Sequence, residues 1–156
     1  MINAWPCYWG TGGEVTFISR DWREAAVKLK LTLRTRNYVG TIFGGSIYGA
    51  VDPIYMLLLI KILGPDYIVW DKSASIRFKK PGKGVLEARF RIPDEEITEI
   101  RELASREKSV DRVYTVEFKD RDGLICASIE KTLYVRRVSS RSDVAPVKSG
   151  AAVTTL

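Results

Sequence analysis

Apolar and polar residues alternate strictly where Val27, Leu29, Leu31 and Leu33 interleave with Lys28, Lys30, Thr32 and Arg34, the period-two pattern of a strand with one wet face. A shorter strand precedes it at Glu14-Val15-Thr16-Phe17-Ile18. From residue 42 to residue 63 the alternation gives way to a nearly continuous apolar run containing one acid, Asp52. That run predicts a helix apolar on nearly every side. Ala74, Ile76 and Phe78 then alternate with Ser73, Ser75, Arg77 and Lys79, and Leu86, Ala88, Phe90 and Ile92 with Glu87, Arg89 and Arg91. Pro81-Gly82-Lys83-Gly84 between them is a turn, which predicts that these two strands form a hairpin.

Asp94-Glu95-Glu96 opens an amphipathic helix with Ile97, Ile100, Leu103 and Ala104 on one face, its acids placed where the helix dipole favours them. Tyr114, Val116 and Phe118 lead to Asp120-Arg121-Asp122-Gly123, a hairpin signal, and the return strand carries Ile125, Ala127, Ile129, Leu133 and Val135. The expected class is α+β: an antiparallel sheet of about six strands wrapped around a long central helix, with one additional short helix. Residues 1–138 read as one domain and 139–156, rich in Ser, Ala, Val and Thr without a period, as a mobile tail.

Within the apolar run, Pro53 lacks the N–H that would bond the Gly49 carbonyl, so a kink or restart is expected between Gly49 and Pro53. The run is long enough to suggest a membrane span, but a central aspartate costs about 2.5–3.5 kcal/mol on insertion scales. A helix buried in the protein's own core is the expectation, with no membrane span.

The chain has 156 residues and no histidine. Ser-His-Asp and Cys-His catalysis and His-ligated zinc are therefore excluded, and any general base must be a carboxylate. Cys7 and Cys126 form no spacing framework, which points to a reducing compartment, to the cytoplasm, and away from a metal site. The first six residues have no basic region before an apolar stretch, so no secretory signal is expected there. The net charge of +6 is concentrated between residues 77 and 91, where Arg77, Lys79, Lys80, Lys83, Arg89 and Arg91 face only Glu87. This is the pattern of a local phosphate-attracting surface or a solvated face rather than of a nucleic-acid-binding protein.

Candidate chemistry centres on the mouth of the apolar helix. Gly44 and Gly45 offer bare backbone N–H groups at a helix N-terminus, suited to polarising an acyl carbonyl, or else allow tight helix-to-sheet packing. Asp52 is a general base or nucleophile, or a cap before Pro53. Desolvation by Ile47, Val51 and Tyr55 is expected to raise its pKa. Asn37 positions water or the substrate carbonyl, or serves as a turn residue capping its own backbone. Tyr48, Tyr55 and Met56 line an acyl tunnel or fill the core, Asp71 and Lys72 are expected to form an ion pair beside Trp70, and Cys126 is an inert thiol.

Asn37, the Gly40-Thr41 step, Gly44-Gly45 and Asp52 resemble the acyl-CoA thioesterases of the hotdog fold, in the phenylacetyl-CoA-thioesterase-like branch. There an Asn precedes a His-Gly-Gly turn and an Asp follows on the central helix. In element order the likeness spans about residues 14–137. More closely, residues 37–53 and Asp66-Tyr67-Ile68-Val69-Trp70-Asp71-Lys72, followed by Ile76-Arg77-Phe78 and Pro81-Gly82, resemble an uncharacterised bacterial sub-family of hotdog proteins described only as thioesterase-like. Phe43 stands where the histidine of His-Gly-Gly would be. The resemblance implies hydrolysis of an acyl-CoA thioester with Asp52 as base and Gly44, Gly45 and Asn37 around the carbonyl. It also implies a substrate-binding wall at Phe43, a hydroxyl from Ser73 or Ser75 near the acid across a dimer interface, and coenzyme A phosphates held by Lys79, Lys80 and Lys83. No cofactor is implied beyond the coenzyme A of the substrate, and the assembly implied is a homodimer or a dimer of dimers. Two other readings remain: an acyl-CoA or acyl-chain binding module that has lost turnover, marked by Phe43, and a purely structural dimer in which Asp52 is only a cap.

Overall fold

Period-two alternation becomes six strands, and the apolar run becomes the helix they enclose. A computed structural model describes residues 2–138; the expected tail, 139–156, lies outside the described residues. After a single 3₁₀ turn come helix α1 (Pro6–Thr11), strands β1 (Gly13–Ile18) and β2 (Glu24–Lys30), and helices α2 (Gly44–Val51) and α3 (Ile54–Leu63). Then follow β3 (Tyr67–Phe78), β4 (Val85–Arg91), helix α4 (Asp94–Arg106), β5 (Val110–Lys119) and β6 (Ile125–Arg137). All neighbours in the sheet are antiparallel, in the order β1-β2-β4-β5-β6-β3. The α+β expectation of a sheet around a central helix holds.

The central helix is interrupted where the sequence requires it. The helical ladder ends at Val51 and restarts at Ile54, and Asp52 and Pro53 keep right-handed backbone angles between the two halves. Over residues 44–63 the segment is long and apolar enough to cross a membrane, yet half of its most apolar window is buried inside the protein. Ala50, Val51, Leu58 and Leu59 join one core cluster with Val27, Leu29, Leu86, Phe90, Phe118, Ile129 and Leu133 from the concave sheet face.

Several expectations need correction. The strands around Pro81-Gly82 do not form a hairpin: β3 pairs only with β6 at one edge, while β4 lies between β2 and β5. Residues 79–84 are instead a crossover, tied down as the Lys79 and Lys80 N–H groups donate to the Cys126 carbonyl and Ile42 N–H to the Gly82 carbonyl. A turn signature fixes the local backbone but not which strand the chain joins next.

The second strand runs Glu24–Lys30 rather than on to Leu33, which is 88% exposed. Thr35 ends it, since its buried hydroxyl donates to the Lys30 carbonyl at 2.6 Å and accepts from Thr32 N–H. Helix α1 was not expected. Its Pro6 at the first turn and left-handed Gly12 just past the end are a legible start and stop, and Tyr8 Oη donates to the Ala50 carbonyl, pinning it to α2.

Leu59 has no exposed surface and sits on the enclosed helix. Leu59→Ala should therefore cost about 2–5 kcal/mol of unfolding free energy, read as a lowered urea midpoint with the denaturant slope unchanged.

Candidate functional site

The loop from residue 31 to residue 43 positions the mouth of α2. Asn37 organises it: its Oδ1 accepts from the N–H groups of Val39 and Thr41, and its Nδ2 donates to Thr41 Oγ1 at 2.9 Å. All of this closes a turn that Gly40, at φ +79°, completes. Asn37 is thus the self-capping turn residue, with its amide committed to the loop. Phe43 N–H donates to the Thr35 carbonyl at 2.7 Å, and the bond from Ile42 to Gly82 draws the 79–82 crossover against the loop.

A groove of about 380 Å³ results, lined by Asn37, Thr41, Gly44, Phe78, Lys79 and Lys80 among others. The amides of Gly44 and Gly45 have no acceptor among the described residues, as expected of a helix start whose preceding residue, Phe43, supplies no side-chain cap. Both glycines also lie close against exposed rings: a Cβ on Gly44 would lie 2.7 Å from the Phe78 ring, and one on Gly45 2.3 Å from the Phe43 ring, so a side chain at either position would push a ring aside. The two readings of this pair coexist. Phe43 and Phe78 are both largely exposed, and Phe78 lines the groove.

Asp52 lies eight residues beyond Gly44, about 12 Å along a helix rising 1.5 Å per residue. It does not line the groove. Its Oδ1 accepts from Tyr48 Oη and from Lys131 Nζ, each at 2.7 Å, leaving Oδ2 without a partner among the described residues. The carboxylate makes no bond to the start of α3, so Asp52 is not its N-cap; it stands at the C-cap position of α2. Lys131 Nζ also reaches Asp71 Oδ1 at 2.8 Å, and it lies 5.3 Å from the centre of the Tyr48 ring. The Lys131 side chain is 1% exposed, whereas those of Asp52 and Asp71 keep 44% and 27%.

The electrostatics follow from this arrangement. Burial pushes Asp52 upward, but the hydrogen bonds from Lys131 and Tyr48 and the lysine's charge outweigh it, and the carboxyl sits below its ordinary value. The expected rise is therefore overturned. Burial also dominates at Asp71, where the lysine only partly offsets it and the charge of Asp52 adds to it, so that carboxyl is raised. For Lys131, burial opposes the charged form, yet its bonds to two carboxylates prevail and hold the ammonium above its ordinary value. Two carboxylates share one cation, and Asp71 is the one more readily protonated.

The remaining expected residues separate. Tyr48 joins the Asp52 cluster. Tyr55 is core, stacked on Tyr114 at 4.6 Å and edge-on to Phe90 at 5.1 Å. Ser73 and Ser75 are exposed on β3 and contact neither Asp52 nor the groove. Lys79 and Lys80 line the groove, though Lys80 also pairs with Asp120 at 2.8 Å, and Lys83 lies outside it. The expected Asp71–Lys72 pair is not formed: Lys72 pairs with Asp111 and Asp71 with Lys131. Among the described residues no group of three or more His, Cys, Asp or Glu could hold a metal ion.

Lys131 is the residue that the sequence reading missed. Its signal was available, because it occupies an inward position of β6 between Ile129 and Leu133, where a lone lysine requires a buried counter-charge.

A family model described as a domain of unknown function, DUF4442, matches residues 1–135. Among solved structures the chain is similar to a protein of unknown function from Pseudomonas aeruginosa, PA5026, described as a probable thioesterase. That likeness has a TM-score of 0.72 at 15% identity, covering 81% of this chain and 84% of that one. It is also similar to the thioesterase HI1161 of Haemophilus influenzae, with a TM-score of 0.65 at 14% identity over 89% and 88% of the two chains. A variant of the thioesterase SAV0944 of Staphylococcus aureus gives a TM-score of 0.59 at 13% identity over 80% and 93%. Among curated protein sequences, none matches. At these identities the likeness shows the fold alone, a hotdog fold.

Replacing Lys131 by Met should leave two facing carboxylates uncompensated and cost roughly 1–3 kcal/mol, and adding Asp71→Asn should recover part of the loss. The pH dependence separates the groups. Asp52 is lowered, so its contribution is complete above the ordinary carboxylate range and is lost as pH falls through its depressed value. Lys131 is raised, so its contribution is complete below the ordinary lysine value and is lost as pH rises from there through its raised value. Urea midpoints of the wild type against both variants between pH 3 and pH 11 (about one point per unit) would check this, the pH dependence of the difference reporting the pair.

Proposed function

This chain belongs to the DUF4442 family, and from that premise we propose that it hydrolyses acyl-CoA thioesters as a homodimer, or as a dimer of dimers. The observation that carries the reading is the groove at the mouth of α2, lined by Gly44 together with Lys79 and Lys80 of the crossover, with the next amide, that of Gly45, also lacking an acceptor among the described residues. A thioester carbonyl oxygen accepts hydrogen bonds from those amides, which strengthen as the oxygen becomes an oxyanion. Lys79 faces the phosphates of coenzyme A first, since Lys80 is shared with Asp120.

The helix geometry then demands a partner. With about 12 Å between Gly44 and Asp52 in one helix, one protomer cannot bring both to the same carbon. Strand β3 is an edge twelve residues long, paired on one side only, and it borders Asp71 and the Asp52 cluster. Pairing of two copies along β3 would cover this edge and place the Asp52 of one copy opposite the helix mouth of the other. Ser73 and Ser75, exposed on β3, would then face that shared site.

In the reaction, Oδ2 of Asp52 takes a proton from water as the water oxygen bonds to the carbonyl carbon. The tetrahedral oxyanion rests on the glycine amides, and its collapse breaks the carbon–sulfur bond. The coenzyme A thiolate leaves and is protonated by the aspartic acid, regenerating the carboxylate. The pair with Lys131 keeps Asp52 ionised at neutral pH, as a base must be, and fixes Oδ1 so that Oδ2 is the oxygen offered. A second reading, a binding module without turnover, draws on Phe43, whose ring closes over Gly45 in place of any polar group.

Release of free thiol from short, medium, long and aromatic acyl-CoAs tests the proposal. Asp52→Asn should reduce kcat/KM by about 10²–10⁴-fold at temperatures where the variant is fully folded, while lowering the thermal midpoint because Lys131 loses one of its two carboxylates; equal turnover in both proteins removes Asp52 as base, and saturable binding with no turnover in either selects the binding module. Because the Asp52 carboxyl is depressed, the acidic limb of the kcat/KM profile should fall below the ordinary aspartate value of 3.8, and a limb near neutrality would contradict that assignment.

Lys79→Glu should weaken coenzyme A thioesters several-fold more than simple thioesters lacking the nucleotide, with KM rather than kcat carrying the change; an equal loss for both removes the phosphate role.

A further inference from the structure

At the opposite edge of the sheet from β3, the chain encloses a second and larger space. The face of α3 carrying Ile54, Leu57, Leu58 and Lys61, spaced i, i+3, i+4 and i+7, does not close against the inner side of β1. Between them lies a cavity of about 670 Å³, roofed by the N-terminal turn and lined by Trp5, Phe17, Trp22, Leu57, Arg20 and Lys61 among others. Small-molecule sites fall in the range of about 300–1,000 Å³. No lining residue is shared with the groove at the helix mouth, and none belongs to the Asp52 cluster.

Two further observations say what would fill it. The first is the charge. Arg20 and Lys61 are the only ionisable residues in the lining, and neither has a carboxylate partner among the described residues; Lys61 Nζ instead lies 5.4 Å from the centre of the Trp22 ring. An apolar space edged by two uncompensated cations and no acid suits a long apolar chain ending in one anion.

The second is the backbone. Trp22 is the sole non-glycine residue with positive φ, +61°, among the described residues, a conformation that costs energy for a bulky side chain. The tight turn from Ser19, with Trp22 N–H donating to the Ser19 carbonyl, holds it there and puts the indole in the cavity wall. Phe17, on an edge strand broken by a bulge between Val15 and Phe17, is left half exposed beside it.

We propose that this cavity is a binding site for a long-chain carboxylate, the alkyl chain lying between α3 and β1 and the carboxylate held at the rim by Arg20 and Lys61. The site is independent of the hydrolase reading. It is separate in space from the thioester groove, and its occupation requires no turnover.

Titration of the full chain with palmitate kept below its critical micelle concentration, followed by calorimetry and by tryptophan emission, tests it. Methyl palmitate and palmitoyl-CoA serve as the comparison ligands. One saturable palmitate site per chain is expected. Leu57→Trp, which fills the cavity, should weaken palmitate at least about tenfold. Arg20→Gln with Lys61→Gln, a surface change that leaves the core intact, should weaken palmitate by about tenfold and leave methyl palmitate unchanged.

Thiol release from palmitoyl-CoA should be unchanged in these variants, so a failure here and a failure of the hydrolase reading show in different assays. Absence of saturable palmitate binding overturns the proposal. So does wild-type affinity in Leu57→Trp, or an equal loss for ester and acid in the charge variant. A change of oligomeric state in Leu57→Trp without palmitate binding by the wild type would make this face a protein interface, which also overturns it.

Discussion

One buried ammonium organises the edge of the sheet at β3. Lys131 lies on the concave face of the sheet with almost no exposed surface, and an unpaired charge there would be prohibitively costly. It is tolerated because α2 brings Asp52 from above and β3 brings Asp71 from the side, each within 2.8 Å. The requirement is reciprocal: the lysine keeps Asp52 ionised and turned, while the two aspartates keep the lysine charged. Helix and edge strand are thereby joined by electrostatics through one lysine.

This explains how much of the molecule was legible in the sequence. Alternation in β4, β5 and β6 and the Asp-Gly turn mapped directly onto structure, because burial on one face and a turn geometry are local properties. The break at Asp52-Pro53 was legible for the same reason: a missing N–H acts at its own position. The partner of β3 was not, because Pro81-Gly82 specifies a change of direction and the crossover is fixed by bonds to Cys126 and Ile42, far away in the chain.

The site divided along the same line. Gly44 and Gly45 were legible as a helix mouth, and the packing of Phe43 and Phe78 against them adds a second reason for glycine. Asn37 reads in sequence as a turn cap or as a positioning group; its three hydrogen bonds show the first, and its place in the groove lining leaves the second open. The pKa of Asp52 was misjudged because desolvation by helix neighbours can be inferred locally, while the compensating cation arrives from a strand 79 residues later. An inward lysine in an otherwise apolar strand register was the one sequence signal of that partner.

The bulge in β3 carries a consequence of another kind. Register skips Lys72, with Asp71 opposite Leu133 and Ser73 opposite Thr132, so the strand changes phase midway. The half before the skip sends Asp71 toward the lysine, and the half after it aligns Ile76 with Ile129. Loss of the single skipped residue would invert one half relative to the other, turning either Asp71 away from the lysine or Ile76 away from the core, so chain length at that point matters more than which residue occupies it.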